Sequence, residues 1–276
     1  MAEKLKYFVN GQFRESKTDK WYDLHNPSTG EITGQAPCCT NDEVLEAIAA
    51  AKAAYPGWSA TPAIKRAQIL YRVRELILER MDELTMSVAK ENGKVWAESE
   101  GDVLKAKEGT ELATQVPSLM MGESIMDASR GYDTVKYREP LGVFAGIVPV
   151  NFPAMIPFGW MAPTCIAAGN TLVLKAASLT PKTAMLFAQL YKDAGVPDGV
   201  INVVTCSRNE INTILEHPDV KGITFVGSTP VGLKIYEKAA ANGKRCQALC
   251  QAKNHALVME AVSYTHLRAH ETRHDL

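Results

Sequence analysis

Three polar residues could bind a ligand or assist a reaction, because each follows an apolar segment typical of a buried strand: Asn151, Lys175 and Ser228. Ser228 also precedes a predicted helix, where free backbone N–H groups and the positive end of the helix dipole favour a phosphate group. Asn151 stands before Phe-Pro, and its side chain can either contact a ligand or satisfy the turn itself. The pattern indicates a ligand site at the ends of strands.

The first of these segments predicts a βαβ unit. Residues 142–150 are rich in small and β-branched apolar residues, as in a strand buried on both faces. A helix over residues 153–168 can begin with its proline, but Pro157 and Pro163 must kink or interrupt it. Residues 171–175 predict a second strand. Loops at the carboxyl ends of strands bind ligands in open α/β sheets, so the intervening loop is a candidate site.

The N-terminal region predicts a hairpin followed by helices. Aromatic and polar residues alternate around Asn10-Gly11, the dipeptide most typical of a two-residue hairpin turn. The first helix is expected to have Asn41 or Asp42 as its N-cap and to end at Pro56. Arg and Lys runs on the following helices are expected to be solvated faces, as at Arg66, Arg72 and Arg74.

The second half of the chain predicts helices that alternate with strands. Thr180 is expected to cap a helix that begins with Pro181 and ends before Gly195. Further strands are predicted over residues 200–204, 221–226, 247–250 and 256–259, with helices between them over residues 207–216 and 230–242. Strands separated by helices of this length favour a parallel, doubly wound sheet.

Composition and charge exclude several classes of protein. At 276 residues, 46% hydrophobic and 22% charged, the chain is typical of a soluble globular protein. A formal net charge of −1 gives no electrostatic basis for binding nucleic acid or an anionic membrane. No apolar run reaches the roughly 20 residues of a membrane span, and the N-terminus lacks signal-peptide and transit-peptide features. We therefore expect a cytoplasmic protein whose partners are small molecules, not nucleic acid or membrane.

The cysteine and histidine residues do not predict a disulfide framework or a metal site. There are six cysteines, and Cys246 and Cys250 lack the CxxC spacing of zinc and redox sites. We expect the cysteines to be small apolar residues of the core. His266, His270 and His274 recur every four residues, which a metal site could use, but we assign residues 261–276 to an unrelated tail.

Three motifs, in this order, resemble the aldehyde dehydrogenase superfamily. IVPVNFP contains Asn151, AGNTLVLK ends at Lys175 and FVGSTPVG contains Ser228. FVGSTPVG and the longer strings NFPAMIPFGWMAP and GKRCQALCQAKNH are similar to those of its CoA-acylating methylmalonate-semialdehyde dehydrogenase branch. The resemblance covers residues 5–259.

The resemblance implies an α/β fold with an N-terminal helical region and a Rossmann-type, doubly wound parallel sheet. Residues 1–260 would form the NAD-binding N-terminal domain, with an arm near residues 131–140 through which subunits of a homo-oligomer associate. The family carries its nucleophilic cysteine in a Gly-Gln-Arg-Cys-like string, and nothing in this sequence matches that string. The catalytic domain of the family would therefore be missing from this chain.

The resemblance also implies roles for individual residues. In this family a cysteine thiolate attacks the aldehyde, and an asparagine at the position of Asn151 donates to the oxyanion. Lys175 would bind the adenosine ribose of NAD, and Ser228 its pyrophosphate. Ser178 replaces a glutamate of many relatives, which weakens the repulsion of a 2′-phosphate. The remaining cofactor contacts are expected at Val148, Val150, Leu179 and Cys250.

Leu249 bears on the choice between two enzyme classes. Hydrolytic relatives carry a glutamate at this position, in an E-L-G-G-K string, where it activates water against the thioester. Without that base a thiol such as CoA is the better acceptor. This favours CoA-acylating oxidation of methylmalonate or malonate semialdehyde to propionyl-CoA or acetyl-CoA, by an enzyme of which this chain is a truncated, inactive form. The alternatives are a hydrolytic aldehyde dehydrogenase and a non-catalytic NAD-binding fragment.

Overall fold

The computed structural model describes residues 3–251, 255 and 257. The strands in chain order are β1 (Tyr7–Val9), β2 (Gln12–Arg14), β3 (Trp21–His25), β4 (Ile32–Pro37), β5 (Glu123–Ser129), β6 (Tyr132–Lys136), β7 (Val143–Ile147), β8 (Thr171–Lys175), β9 (Ile201–Val204), β10 (Val220–Gly227) and β11 (Arg245–Cys250). The helices are α1 (Asn41–Ser59), α2 (Ala63–Glu79), α3 (Met81–Asn92), α4 (Trp96–Ala113), α5 (Val116–Leu119), a π-helix (Ile156–Met161), α6 (Ala162–Ala167), α7 (Lys182–Asp193), α8 (Arg208–Glu216) and α9 (Thr229–Ala241). The predicted tail over 261–276, and all but residue 257 of the strand predicted over 256–259, lie outside the described residues.

A mixed sheet of seven strands forms the centre of the fold, in the order β11-β10-β7-β8-β9-β1-β2. The strands from β11 to β9 pair in parallel, whereas the hairpin β1–β2 adds two antiparallel strands beside β9. The predicted parallel sheet is therefore confirmed, with an antiparallel extension at one edge. Asn10 and Gly11 both have positive φ, as the predicted hairpin turn requires.

Helices cover both faces of the sheet, which confirms the doubly wound arrangement. On what we call the α4 face, the helices α2, α4, α6, α7 and the π-helix share an apolar core with Leu172 and Leu174 of β8. On the opposite face, the α9 face, α1, α8 and α9 cover a core that contains Val173. Successive residues of β8 thus enter opposite cores, as in a strand buried on both sides.

The helix predicted over residues 153–168 is replaced by shorter elements. The segment begins with a turn, continues as the π-helix and ends as α6. Pro157 has no N–H to donate, so a regular α-helical ladder is interrupted there and the π-helix accommodates the irregularity. Pro163 lies near the start of α6, where a missing N–H costs little. The prolines therefore interrupt the helix as predicted, but regular helix starts later than predicted.

The first helix differs from its prediction at both ends. Its N-cap is Thr40, which forms a capping box with Glu43, and Asn41 and Asp42 lie in its first turn. Pro56 lies inside the helix rather than at its end. A buried tryptophan in the last turn donates a hydrogen bond to a carbonyl of α6, so a tertiary contact extends the helix beyond the proline.

Arg66 does not lie in solvent as predicted. Its side chain is buried, and its Nε atom donates to the carbonyl oxygen of Ala167 at 2.8 Å. A second donor of the same guanidinium group bonds to the carbonyl of Thr61. The arginine thus satisfies one carbonyl group at the end of α6 and one just before α2, a role that the helical periodicity of α2 does not reveal.

The segment predicted as an extended arm, near residues 131–140, contains β6, which pairs with β5 in a hairpin. All residues of both strands are exposed, including large apolar side chains at Ile125, Met126, Tyr132 and Val135. Its role in subunit association stays a prediction. Across the part of the chain that the structure describes, no helix is long and apolar enough to cross a membrane.

Candidate functional site

The carboxyl ends of four parallel strands meet at one edge of the sheet. The pairing register aligns Phe225 of β10 with Ile147 of β7, and Ile147 with Lys175 of β8. On the other side of β10, Gly227 pairs with Cys250 of β11. The structure therefore brings Lys175, Cys250 and the start of α9 to the same edge, where the three sequence motifs predicted a site.

Cys250 lies on the α9 face, directly against α9. A Cβ atom on Gly232 of this helix would collide with Sγ of Cys250, so glycine allows the helix to lie close to β11. Gly232 belongs to the FVGSTPVG motif, and its N–H donates to the carbonyl oxygen of Ser228 at 2.9 Å. The motif thus holds the N-terminus of α9 beside the strand ends.

Ser228 is the N-cap of α9 and is exposed. Its side chain makes no capping hydrogen bond with the residues that the structure describes, and the first turn of the 13-residue helix contains no acidic residue. A hydroxyl group at the positive end of a helix can donate to a phosphate oxygen. The position expected for a pyrophosphate contact is suited to one, and the contact itself stays a prediction.

Lys175 ends β8 on the α9 face and is half-buried. Burial lowers the pKa of its ammonium group, while the nearby Cys206 and Cys38 act in the opposite direction. Charge-assisted hydrogen bonds are stronger in such a partly desolvated site than in water. The half-buried Ser178 and the exposed Leu179 follow in the loop between β8 and α7, at the same edge.

Asn151 lies in the loop that follows β7, and it is exposed. The loop starts beside β8, because the N–H of Val148 donates to the carbonyl oxygen of Lys175 at 3.4 Å. An exposed amide at this edge can donate to an oxygen atom of a ligand. The structure therefore places Asn151 near the end of the strand that neighbours Lys175, as the βαβ prediction required.

Val150 is held by two side chains from other elements. Its carbonyl oxygen accepts hydrogen bonds from Nδ2 of Asn92 at 2.8 Å and from Oγ1 of Thr180 at 3.3 Å. The prediction that Thr180 caps α7 is therefore wrong, since its hydroxyl group fixes the loop and Pro181 is the N-cap. The N–H groups at the start of α7 donate instead to the buried carboxylate of Glu91.

A cleft of about 440 Å³ opens on the α4 face, near the same strand ends. It lies between α4 and the π-helix on one side and β10 and β11 on the other, and its lining includes Lys105, Trp160 and Leu249. Leu249 is 44% exposed, although the next residue, Cys250, is half-buried. Adjacent residues of a strand point to opposite faces, so Leu249 faces the cleft and Cys250 faces α9.

The sequence did not identify Lys105 and Trp160 as lining a cleft. Lys105 belongs to a charged run that was expected to be solvated, and its Nζ atom lies 2.6 Å from Oε2 of Glu108. A close helix contact places it here, because a Cβ atom on Gly109 of α4 would collide with the carbonyl oxygen of Gly159. Gly109 and Gly159 are only a weak sequence signal for close packing, because the sequence does not show that these two residues are in contact.

Several cysteines are unsuited to act as nucleophiles. Burial raises the pKa of Cys39, Cys165 and Cys206 to about 12 and raises that of Cys246 above its usual value. The thiolate, rather than the thiol, is the nucleophilic form. Among the residues that the structure describes, no group of three His, Cys, Asp or Glu side chains could hold a metal ion.

Comparison with known protein families assigns the chain. The model of the aldehyde dehydrogenase family matches residues 13–268, which extends past the domain boundary predicted at residue 260. The chain belongs to the aldehyde dehydrogenase family. Malonate-semialdehyde dehydrogenase 2 of Geobacillus kaustophilus (strain HTA426) is 46% identical over 258 residues, covering 94% of this chain and 53% of that protein. The mitochondrial methylmalonate-semialdehyde/malonate-semialdehyde dehydrogenase (acylating) of Rattus norvegicus is 45% identical over 255 residues, covering 92% and 48%.

Solved structures give the same fold. A candidate methylmalonate-semialdehyde dehydrogenase from Sinorhizobium meliloti 1021, complexed with NAD, has a TM-score of 0.89 at 36% identity, covering 92% of this chain and 52% of that chain. The methylmalonate-semialdehyde dehydrogenase of Oceanimonas doudoroffii has a TM-score of 0.88 at 39% identity, covering 92% and 51%. The predicted family and fold are confirmed, and this aldehyde dehydrogenase chain spans about half the length of the curated relatives it matches.

Proposed function

We propose that this chain binds NAD at the carboxyl edge of its sheet, on the α9 face, and that it contributes this site to an aldehyde oxidation. The observation that carries the proposal is the strand register, which aligns Lys175, the start of α9 and Cys250. A similar structure is a complex with NAD, which supports the choice of cofactor.

The residues at this edge fit a dinucleotide. The ammonium group of Lys175 can donate to ribose hydroxyls, and the N-terminus of α9 with Ser228 can receive the pyrophosphate. Ser178 keeps one hydrogen-bonding group beside the ribose without the negative charge that would repel a 2′-phosphate. The predicted apolar contacts are Val148, Val150, Leu179 and Cys250, of which Val150 and Leu179 are exposed.

The proposed reaction is the CoA-acylating oxidation of methylmalonate or malonate semialdehyde. The semialdehyde, NAD and CoA give propionyl-CoA or acetyl-CoA, NADH and carbon dioxide. Bound NAD supplies the hydride acceptor. A thiolate must first add to the aldehyde carbon, and the amide of Asn151 would donate to the oxygen atom that becomes negative. The names of the relatives, malonate- and methylmalonate-semialdehyde dehydrogenases, support this substrate class.

The cleft on the α4 face is the proposed aldehyde site. Lys105 offers a cation for the carboxylate of a semialdehyde, in competition with Glu108. Leu249 faces this cleft at the position where hydrolytic relatives would place a base. A leucine cannot take a proton from water, so the cleft favours a thiol acceptor such as CoA over hydrolysis.

NAD binding without catalysis is a second candidate function for the chain alone. It is favoured by the sequence, which contains no Gly-Gln-Arg-Cys string. The similar string Gly243-Lys244-Arg245-Cys246 runs into β11, and burial raises the pKa of its cysteine. We therefore expect the purified chain to make no NADH from malonate semialdehyde, with or without CoA, when absorbance at the NADH band is followed. CoA-dependent turnover that disappears in Cys250→Ser would contradict this and make Cys250 the nucleophile.

Titration of the 276-residue chain with NAD tests the proposed site. Ser228→Asp should keep α9 intact, because aspartate is a good N-cap, but its charge opposes the pyrophosphate. We expect an affinity at least about 100-fold weaker, since like charges placed together cost several kcal/mol. Ser129→Asp, in the exposed hairpin β5–β6, is the control with the same charge change. Equal affinities of the wild type and Ser228→Asp would exclude this pyrophosphate position.

A further inference from the structure

The loop that carries Asn151 is held on both sides by side chains from other elements of the fold. Before Asn151, the carbonyl of Val150 accepts the hydrogen bonds from Asn92 and Thr180 described above. After it, the N–H of Met155 donates to Oδ1 of Asp102 in α4 at 2.7 Å. Asn151 itself is exposed, so its placement depends on how these neighbours are fixed.

Asp102 is 2% exposed and forms the centre of a small cluster. Its second oxygen, Oδ2, lies 3.0 Å from Nζ of Lys94. The same Nζ atom lies 4.0 Å from the ring centroid of Phe152, the residue after Asn151. The ion pair therefore contacts the loop twice, at Phe152 and at Met155.

Gly93, which has a left-handed backbone conformation, allows the segment between α3 and α4 to reach the loop that carries Asn151. Gly93 is the C-cap of α3 with φ 79°, a conformation that glycine adopts without strain. A Cβ atom at this position would also lie 2.9 Å from Cγ of Pro27. Asn92 and Lys94, on either side of Gly93, thus contact the two flanks of Asn151.

The partners of the ion pair indicate that it fixes the conformation of the loop rather than adding to the stability of the fold. A buried ion pair is weak evidence for stability, because desolvation offsets much of the attraction. Burial raises the pKa of Asp102, and Lys94 and the N–H groups of Met155 and Ala154 oppose that rise. The contacts that favour the carboxylate thus come from the loop and from Lys94.

We propose that Asp102, together with Lys94, is a positioning residue that fixes the direction of the Asn151 side chain. Asp102 holds the chain at Met155, and Lys94 holds the ring of Phe152, so Asn151 is left with few orientations. Donors that are already oriented stabilise a developing oxyanion without reorganising at the moment of reaction. The catalytic meaning rests on the proposed function of Asn151, whereas the loop geometry can be measured by itself.

The test is NMR relaxation of the full chain, observing the backbone amide of Asn151 and its side-chain amide resonances. We expect a wild-type order parameter near the rigid value of about 0.85, falling below about 0.6 in Asp102→Asn and in Lys94→Met. Lys94→Arg keeps the charge and the ring contact and should restore the wild-type value. Lys107→Met is the control, because it removes the Lys107–Glu111 pair of α4, 3.0 Å apart, without touching the loop.

Order parameters of the α4 amides distinguish positioning from a structural role. Loss of order confined to residues 150–155 supports the proposal, and loss spread equally along α4 overturns it. Unchanged Asn151 resonances in the folded Lys94→Met variant would overturn it too, even where Asp102→Asn unfolds. A wild type that binds no NAD would refute the proposed function, and the loop measurement would still decide this inference.

Discussion

The α9 face and the α4 face of the sheet are covered differently at the edge strand β11. Residues 246, 248 and 250 of β11 are half-buried under α9. Residues 245, 247 and 249 of the same strand are exposed. On the exposed side, two neighbouring clefts share Trp160 and Gln247 and separate the strand from the π-helix. One strand therefore separates a packed surface, proposed for the cofactor, from an open surface, proposed for the aldehyde.

The difference matches the different demands that the two proposed binding tasks would place on the same edge. On the packed side, the helix must approach the strand closely, and this requires glycine at position 232. On the open side, Leu249 lines the cleft proposed for the aldehyde, and no such close approach is required. We expect substitutions on the α9 face to affect both stability and NAD affinity, and those on the cleft side to affect neither strongly.

Substituting glutamate at position 250 or at position 249 should give the largest difference in stability between the two faces. Cys250→Glu places a larger, charged side chain against Gly232. We expect the free energy of unfolding to fall by about 2–4 kcal/mol, through overpacking and an unpaired carboxylate. Leu249→Glu should change it by less than about 1 kcal/mol. Urea unfolding followed by circular dichroism measures both values, and equal losses would contradict the assignment to opposite faces.

Alanine at two helical glycines tests how closely α9 packs. Gly232→Ala should lower the free energy of unfolding by about 1–2 kcal/mol, because the gain in helix propensity does not offset the collision with Cys250. It should also weaken NAD binding as α9 moves away from the edge. Gly101→Ala in α4 is the matched control, with nothing within 4 Å of its new methyl group, and should be stabilising. Gly232→Ala that is equally stabilising would show that α9 need not lie so close.

Lys175→Met should separate stability from cofactor binding. Loss of charge-assisted hydrogen bonds should weaken NAD binding about 10- to 100-fold, as calorimetric titration would show. Burial lowers the pKa of Lys175, so the folded chain binds fewer protons than the unfolded chain between that lowered value and an ordinary pKa of about 10.4. Lys175 therefore contributes stability that rises with pH across this window, against the fall contributed by Cys39, Cys165 and Cys206, whose raised pKa values keep them protonated in the folded chain. The stability of the wild type relative to Lys175→Met should rise with pH across this window.

The control for that experiment is the lysine of the open cleft. Lys105 is 59% exposed, so Lys105→Met should leave NAD affinity and the pH dependence of unfolding as in the wild type. Denaturant unfolding at several pH values up to 10.5 gives the comparison. If both methionine variants kept the wild-type pH dependence, burial on the α9 face would not control the charge of Lys175.

The fold was largely predictable because its patterns are local. The hairpin at Asn10-Gly11, the strands around residues 143–147 and 171–175, and the alternation of strands with helices all follow from short-range periodicity and turn chemistry. Errors occur where a distant residue overrides a local rule. Arg66 is buried and bonds to the carbonyl of Ala167 in α6, and Thr180 bonds to the loop before Asn151 instead of capping its helix.

The sequence by itself determined the family and the edge of the sheet at which the candidate site lies. The motifs around Asn151, Lys175 and Ser228 each end a strand, and parallel strands bring their carboxyl ends together. These features depend on residues that are neighbours in the chain, so the order and spacing of the motifs are sufficient to predict them.

Only the tertiary structure decided how the two sides of that edge differ and which side chains contact the loop that carries Asn151. The cleft joins Lys105 to Trp160, and the ion pair of Lys94 and Asp102 contacts Phe152 and Met155, so each brings together residues that are 53 or more positions apart. Such contacts depend on how α4 packs against the π-helix. That packing is set by the shapes of two surfaces, which periodicity and turn signals along the chain do not encode.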